Sequence, residues 1–482
     1  VQSDTARITA SDSISNLAKV EVKKDQGEYQ DITASYQSGY RITANGTYTF
    51  RATDMAGNQA TDVLTYQNID SAKPVVSIDS GGYVGGSWTN GDVTLIPKNT
   101  GSNLGDTTFQ YKVDEGSWQP YSVPIEITAN TDGDGTVYTF KAISESGVES
   151  DEVSITVKRD DVAPDGDILM EENSVKTLLN QITFGLFYNQ NVEVLIAGQD
   201  DLSGIASIGY YRDDEVLTAD QVQQITQWTT VEAAQTNFSV TAEDAEQFVY
   251  YVKITDKAGN STYFASNGAT FDLTPPAISG ITHGGTYYST QQFTVTDVNL
   301  EEITLNGEVK WSEGAQAPGS RTGAKAFLLE GDKDTSYRIV AKDKAGNITT
   351  VEITMKTIES LADDIEDLTP ENVTSADEDD IKDVLEKAQA VDRENATDAE
   401  KEALDQIISD CEDLLSQIEE TGRELEDITD SVGNYDPETV KTSDKEEIQD
   451  LIDRIDELLE GGNLNPDEQE LLQSDRKSTR QN

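Results

Sequence analysis

The sequence predicts a mainly β fold: four tandem β-sandwiches followed by an acidic α-helical region. Three observations predict it. A Tyr stands six residues before the first position of a hairpin turn four times over, at Tyr48 and Asp54, Tyr138 and Ser144, Tyr250 and Asp256, and Tyr337 and Asp343. Asp/Pro-rich junctions separate these units: Asp70 to Pro74, Asp160 to Pro164 and Asp272 to Pro276. After about Ile358 the apolar spacing changes from period two to a helical period, and Tyr435 is the only aromatic that remains.

The turn explains the first observation. Asp is favoured at the first position of a type I turn because its carboxylate accepts nearby backbone N–H groups. Gly three residues later takes the left-handed conformation that closes a three-residue hairpin loop. Asp54/Gly57, Asp256/Gly259 and Asp343/Gly346 meet both demands within the shared string Asp-x-Ala-Gly-Asn, and Ser144 to Gly147 is a worn copy. A motif recurring at the spacing of one small β-domain means tandem sandwiches. The Tyr positions read as structural corners. In immunoglobulin-type sandwiches such a Tyr precedes the second bridging Cys by two residues. Here Phe50, Phe140, Val252 and Ile339 stand at that place, so each sandwich is an immunoglobulin-like one with an apolar plug instead of a disulfide.

The boundaries follow. Residues 1–70 form a sandwich that is incomplete at its N-terminal end, because Val1 opens inside a domain. Residues 71–160 form a divergent one, 161–273 one with an insertion, and 274–357 a fourth. Pro stiffens each junction and cannot enter a central strand. The chain reads as a fragment of a longer polypeptide. With 482 residues it has room for roughly three to five domains. Its single Cys, Cys411, allows no intrachain disulfide, so each sandwich rests on core packing alone.

Net charge is −56, which excludes nucleic acid as a partner, since phosphate binding needs Lys/Arg surfaces. The same charge disfavours an anionic lipid surface and favours a soluble monomer. No stretch approaches the ~20 apolar residues of a membrane span, so this segment is expected to insert in no membrane.

Leu179 to Thr218, continuing through Tyr250 to Asp256, resembles the bacterial Ig-like domains of large cell-surface proteins of Gram-positive Firmicutes. Pro276 to Lys356 is similar to the Ig-like domain that commonly follows, through Asp297 to Leu300, Ile303 to Gly307 and Lys342 to Asn347. The resemblance covers about three quarters of the chain and is least at the second sandwich. It implies surface exposure and a stalk or adhesive role, with a host or microbial surface protein or glycan as partner, and it implies no catalytic residues.

The helical end carries 40 acidic and 8 basic residues between Glu359 and Leu472. Ile381, Val384, Leu385 and Ala388 form one apolar stripe, and Ala403, Leu404, Ile407, Ile408, Cys411, Leu414, Leu415 and Ile418 a longer one. Ser375 is the expected cap of the first stripe, and Thr397 with Glu400 fits a capping box ahead of the second. A repeat of 67 residues maps Ile358, Leu361, Ile365 and Leu368 onto Leu425, Ile428, Val432 and Tyr435, and Pro370 onto Pro437. It predicts a three-helix module at 358–424 and a second, truncated module at 425–473, frayed for want of a full third helix. The last helix of the first is expected to run into the first helix of the second. Residues 474–482 are expected to be a disordered tail.

Candidate chemistry is sparse. His283, the only His, reads as part of a surface turn, and Cys411 as a packing residue. Asn130 to Gly135 resembles the start of a calcium loop but places Lys141 where Glu is needed, so it reads as a plain turn. No cofactor is expected beyond calcium at the domain junctions, where Asp160, Asp161, Asp165 and Asp167 crowd one linker. A sugar-stacking face on the second sandwich is expected from Tyr83 with Trp88 and Trp118 with Tyr121. The functional expectation is a non-enzymatic stalk or adhesive segment at a bacterial cell surface. The alternatives are a carbohydrate-binding accessory region of a large glycan-degrading enzyme and capture of a host protein by the helical module.

Overall fold

The computed structural model describes residues 1–313, 324–331, 333–435 and 438–481. Pro437 and Asn482 lie outside them. The chain divides into two compact units: residues 1–185, 192–240 and 247–269, and residues 186–191, 241–246 and 270–482.

In the first unit, the first sandwich has a sheet ordered Gln30–Asp31, Leu17–Lys24, Gly46–Asp54, Gln59–Tyr66, facing the pair Asp4–Ala6 and Tyr40–Ile42. Its core gathers Ala6, Val20, Val22, Ile32, Ile42, Tyr48 and Ile69. The second sandwich is more complete. Gln119–Pro120, Thr107–Val113, Thr136–Ser144, Val153–Arg159 and Trp88–Thr89 make one sheet, and Ile125–Ile127, Val93–Asn99 and Val76–Asp79 the other. Val93, Leu95, Phe140, Ala142 and Val157 alternate inward from both sheets. The third joins Asn173–Ser174, Asp165–Met170, Val192–Gln199 and Gln235–Val240 in one sheet. The other runs Lys176–Thr177, Ser261–Ser266, Gln247–Asp256, Ile205–Asp213, Thr229–Val231.

The third sandwich departs from simple alternation for a clear reason. Its strand Gln247–Asp256 is buried on both faces from Phe248 to Val252. On the outer face Val249, Tyr251 and Ala265 pack with Val222, Leu217, Ile225 and Trp228. Helix α1 (Ala219–Gln223) supplies Val222 and starts with a capping box between Thr218 and Gln221. The Tyr251 hydroxyl accepts from the Leu217 N–H at 2.6 Å and donates to the Glu215 carbonyl at 3.1 Å. The insertion is thus a cover for one sheet face.

In the second unit, the fourth sandwich sets Ala277–Ser279, Gln291–Thr296 and Lys325–Leu329 against Thr286–Tyr287, Ile348–Met355, Thr335–Asp343, Leu300–Leu305 and Glu308–Ser312. Phe293, Val295, Ile303, Ile339, Ala341 and Met355 fill it.

The four motif Tyr residues occupy one register, on the strand that enters the turn. Tyr48 and Tyr250 are buried, whereas Tyr138 and Tyr337 are half-buried against their cores. The Tyr48 hydroxyl donates to the Ala44 carbonyl at 2.8 Å, the backward bond of a corner. At the plug position Phe140, Val252 and Ile339 are fully buried, and Phe50 in the first sandwich is only half-buried.

The helical end differs from expectation in three places. Ile358 to Leu368 forms two short 3-10 turns, Glu359–Leu361 and Asp363–Ile365, where a first helix is expected. Its repeat partner, Leu425 to Val432, is α-helical because it continues helix α3 (Asp398–Gly433, 36 residues). Extending a helix fixes one residue per hydrogen bond, whereas starting one directly after a strand carries the nucleation cost. Helix α2 (Glu378–Ala390) is preceded by a capping box between Thr374 and Asp377. Ser375, the expected cap, instead donates its hydroxyl to Glu468 at 2.5 Å.

The expected disordered tail belongs to helix α5 (Pro466–Gln481), which packs beside helix α4 (Lys445–Glu460). Asn465 and Glu468 cap α5 reciprocally. Arg476 and Arg480 pair with Asp456 of α4, which is why basic residues end an acidic region. Thr397 and Glu400 cap α3 as expected, with the Thr397 hydroxyl 3.2 Å from the Glu400 N–H.

The two helical modules differ in core size. Twelve buried residues from Ile358 to Ile418 fill the first, and five, Ile428, Leu451, Ile455, Leu464 and Leu472, fill the second. Asp475 is buried there with one oxygen unpartnered, and burial raises its carboxyl above the usual range. Heating should therefore release amide protection in α4 and α5 before α2 and the first half of α3. Hydrogen exchange with mass spectrometry along a temperature series checks this, and simultaneous loss would contradict it.

Candidate functional site

The turn Asp residues do more than close hairpins. The Asp256 Oδ1 accepts from the Gly259 and Asn260 N–H groups at 2.7 and 2.9 Å, and Oδ2 accepts from Asn260 Nδ2 at 2.7 Å. Asp343 makes the same pair of bonds with Asn347, at 2.8 and 2.7 Å. In both copies the Asn amide then reaches the linker that leads into its own sandwich. Asn260 Nδ2 donates to the Asp160 carbonyl at 2.9 Å, and Asn347 Nδ2 to the Asp272 carbonyl at 2.7 Å. Thr262 and Thr349, two residues on, donate their hydroxyls to the Pro164 and Pro276 carbonyls.

The motif Gly residues part company with the Asp residues here. Gly57, Gly259 and Gly346 take φ of +91°, +98° and +91°, the left-handed conformation that a residue without Cβ readily adopts. A Cβ added at Gly57 or Gly346 would meet nothing within 4 Å, so the backbone angle and not crowding calls for Gly. The Gly57 and Gly346 N–H groups donate to the Asp54 and Asp343 carbonyls at 3.1 and 3.2 Å, which closes the turn. The sequence groups Gly57 and Gly346 with their Asp as one motif, and the structure corrects this. Both glycines are exposed at the hairpin tip and contribute nothing to the linker contact.

The linker carboxylates turn inward at the same point. Asp160 is fully buried; its oxygens accept from the N–H groups of Val162 and Ser203 at 3.0 and 3.1 Å. Asp272 is 7% exposed and accepts from Thr274 N–H and Asn299 Nδ2. A third carboxylate joins each: Asp200, which accepts from Gly204 N–H at 2.6 Å, and Asp297, which accepts from Asn299 N–H at 2.6 Å. Asp160, Asp200 and Asp256 each place a carboxylate oxygen within 4.8 Å of the others, and so do Asp272, Asp297 and Asp343. Burial, with the charges of Asp272 and Asp343 adding to it, pushes the Asp297 carboxyl up to about 6. Donors of this kind are hard oxygen ligands, which suit calcium far better than a softer transition metal.

Of the four Asp residues expected to crowd one linker, only Asp160 joins such a group. Asp161 pairs with Arg159, Asp165 pairs with Lys176, and Asp167 accepts from the Ser174 hydroxyl. Each of these three is taken up by a neighbouring donor. Asp200 and Asp297 escaped the sequence reading. Their signal is placement: each directly follows an inward-alternating strand, Val192–Gln199 or Gln291–Thr296.

The structure does not assemble the expected sugar-stacking face. Trp88 lies in one edge strand of the five-stranded sheet, and Trp118 precedes the other edge strand, Gln119–Pro120. Three strands separate those edges, about 19 Å at ~4.8 Å per strand spacing. Tyr121 packs edge-on to Phe109 and Phe140 in the core. The Tyr83 hydroxyl is used by Ser87, Thr156 and Lys158 backbone groups. Lys158 lies over Trp88, and Lys112 and Lys141 lie over Trp118.

The remaining candidates are structural. The exposed His283 accepts through Nδ1 from the Glu352 N–H at 3.1 Å. Cys411 is fully buried, and desolvation pushes its thiol up to about 11, far from a reactive thiolate. Asn130 and Thr131 bond to Arg159, and Gly135 N–H bonds to Asp132, so that segment is a turn. Among the described residues no helix is long and apolar enough to cross a membrane.

No protein-family model and no curated protein matches this chain. Among solved structures, similarity extends to the fibronectin(III)-like modules of Clostridium thermocellum CbhA, at 8% identity over 39% of this chain and 94% of that one, with a TM-score of 0.22. It also extends to a 1.5-MDa bacterial ice-binding adhesin, at 15% identity over 59% and 98%, TM-score 0.24. The ICAM-5 D1–D4 ectodomain fragment aligns at 13% identity over 66% and 85%, TM-score 0.32. The tandem-sandwich architecture stands on the strand pairing itself, which those values neither add to nor change.

Proposed function

We propose that this chain is a stalk segment of a bacterial cell-surface protein, extracellular and without catalysis of its own. It spaces or displays binding or adhesive parts, and its partner is a host or microbial surface protein or glycan. One observation carries the reading: a sandwich grips the linker that leads into it with its own turn Asn, and the chain does this twice, through Asn260 and Asn347. An enzyme gains nothing from such a grip, whereas a spacer needs joints that hold an angle. Inter-domain motion is otherwise the default for small interfaces.

Spin labels at Glu115→Cys and Glu232→Cys, on the second and third sandwiches in a Cys411→Ala background, test the joint. The unmodified joint should give a narrow distance distribution and Asn260→Ala a visibly broader one. Equal widths in the two proteins would refute a stiffening role for Asn260.

We further propose that calcium tightens both joints through Asp160, Asp200 and Asp256 and through Asp272, Asp297 and Asp343. The clustering of three carboxylates around a partly desolvated point supports it, because opposite charge relieves the repulsion that raises Asp297. For a site of extracellular affinity, 10 mM calcium should raise the melting temperature by roughly 5 °C over chelator. Calorimetry of the whole chain reads this, and Asp256→Asn with Asp343→Asn should abolish the rise. An identical melting profile with calcium and with chelator would remove the proposal.

A further inference from the structure

We propose that the first sandwich is completed by an extended segment joined directly to Val1, which fills two open strand edges in a register the other sandwiches define. The open edges carry this inference, and three covered copies in the same chain show what closes them.

On one side, Val93–Asn99 of the second sandwich is flanked by Val76–Asp79, and Gln291–Thr296 of the fourth by Ala277–Ser279. In the third, Val192–Gln199 is flanked by Asp165–Met170. The corresponding strand of the first, Asp4–Ala6, pairs only with Tyr40–Ile42 among the described residues. On the other side, Trp88–Thr89 runs parallel to Val153–Arg159, and Thr286–Tyr287 runs parallel to Ile348–Met355. In the first sandwich the matching strand, Gln59–Tyr66, is an edge that is exposed at every residue but Tyr66. Val63 is 56% and Leu64 40% exposed there. A long open edge with apolar side chains is a template for another strand.

Val1 fixes where that strand must end. The Asp70 N–H donates to the Val1 carbonyl at 2.9 Å. In the second sandwich Asp160 N–H donates in the same way to Thr89 at 3.0 Å, and in the fourth Lys356 N–H donates to Tyr287 at 2.8 Å. Val1 is thus the last residue of the covering strand, and its continuation lies along Gln59–Tyr66.

The occupant's chemistry can be stated. Its near end runs parallel to Gln59–Tyr66, and its far end carries alternating apolar residues that pair with Asp4–Ala6, as Val76 and Ile78 do for the second sandwich. An Asp-x-x-x-Pro linker precedes it. In the three copies, Asp70, Asp160 and Asp272 lie 19, 17 and 15 residues before Thr89, Thr177 and Tyr287, and the Pro follows four residues after each Asp. That Asp would meet Asp12 and Asp54, which hold the positions of Asp200 and Asp256 in the first sandwich. Backbone N–H groups of Ser15 and Ile14 already hold Asp12 below the usual carboxylate range.

The test is a graft on the whole chain. Residues Pro74 to Trp88 are placed directly before Val1, and amide exchange of Gln59–Tyr66 is followed. Exchange there should slow by about tenfold or more, and a graft with Val76→Ser, Ile78→Ser and Trp88→Ser should leave it fast. Unchanged exchange with the intact graft, or equal slowing with the Ser graft, overturns the proposal. The reading frame upstream of Val1 supplies a second, independent test that does not depend on the graft folding. It should encode Pro 11 to 15 residues before Val1 and Asp four residues earlier, and their absence overturns the proposal as well.

Discussion

The carboxylate at the start of each Asp-x-Ala-Gly-Asn turn is the constraint on which the rest depends. A buried carboxylate is costly unless hydrogen bonds satisfy it. Asp256 and Asp343 are 1% and 0% exposed, and each answers that cost with the N–H and side-chain amide of the Asn four residues on. The Asn side chain is thereby fixed in place, and a fixed amide is what holds the incoming linker. The same local chemistry therefore closes a hairpin and sets a joint. Asp54 shows the uncoupled case: its bond to the Asn58 side chain is present and holds the carboxyl low, yet residues 54 and 58 are both on the surface and Asn58 grips no linker.

The second sandwich shows what losing the pair does. Ser144 replaces Asp, and its hydroxyl still accepts from the Val148 N–H at 3.1 Å, so the hairpin survives. The linker Asp70 is buried at 5% exposure, and both its carboxylate oxygens are without a hydrogen-bond partner. The hairpin thus needs one acceptor, whereas a satisfied joint needs the whole set.

Legibility followed range. The turns, their left-handed Gly57, Gly259 and Gly346, the four sandwiches and the Thr397 capping box are set by neighbours within six residues, and sequence spacing is enough to read them. The grip of Asn260 on Asp160 spans 100 residues, and no local pattern announces it. Phe248 to Val252 breaks the alternation of a half-buried strand because α1 and its flanks cover the outer face, an effect of packing and not of propensity. Ile358 to Leu368 has helical spacing yet forms 3-10 turns, because periodicity reports which side is buried and not whether a helix has been nucleated. The tail misled through its charge: Arg476 and Arg480 look foreign in sequence and face Asp456 in space. Trp88 and Trp118 sit 30 residues apart in sequence, and only the strand order sends them to opposite sheet edges.

The most direct test of the coupled turn is residue-level hydrogen exchange on the whole chain with Asp256→Ala. If one carboxylate organises both features, exchange accelerates at Gly259 and Asn260 and also at Val162 and Ser203, whose N–H groups are bound by the linker Asp160. Acceleration confined to the hairpin tip, with Val162 and Ser203 as protected as before, would contradict the account.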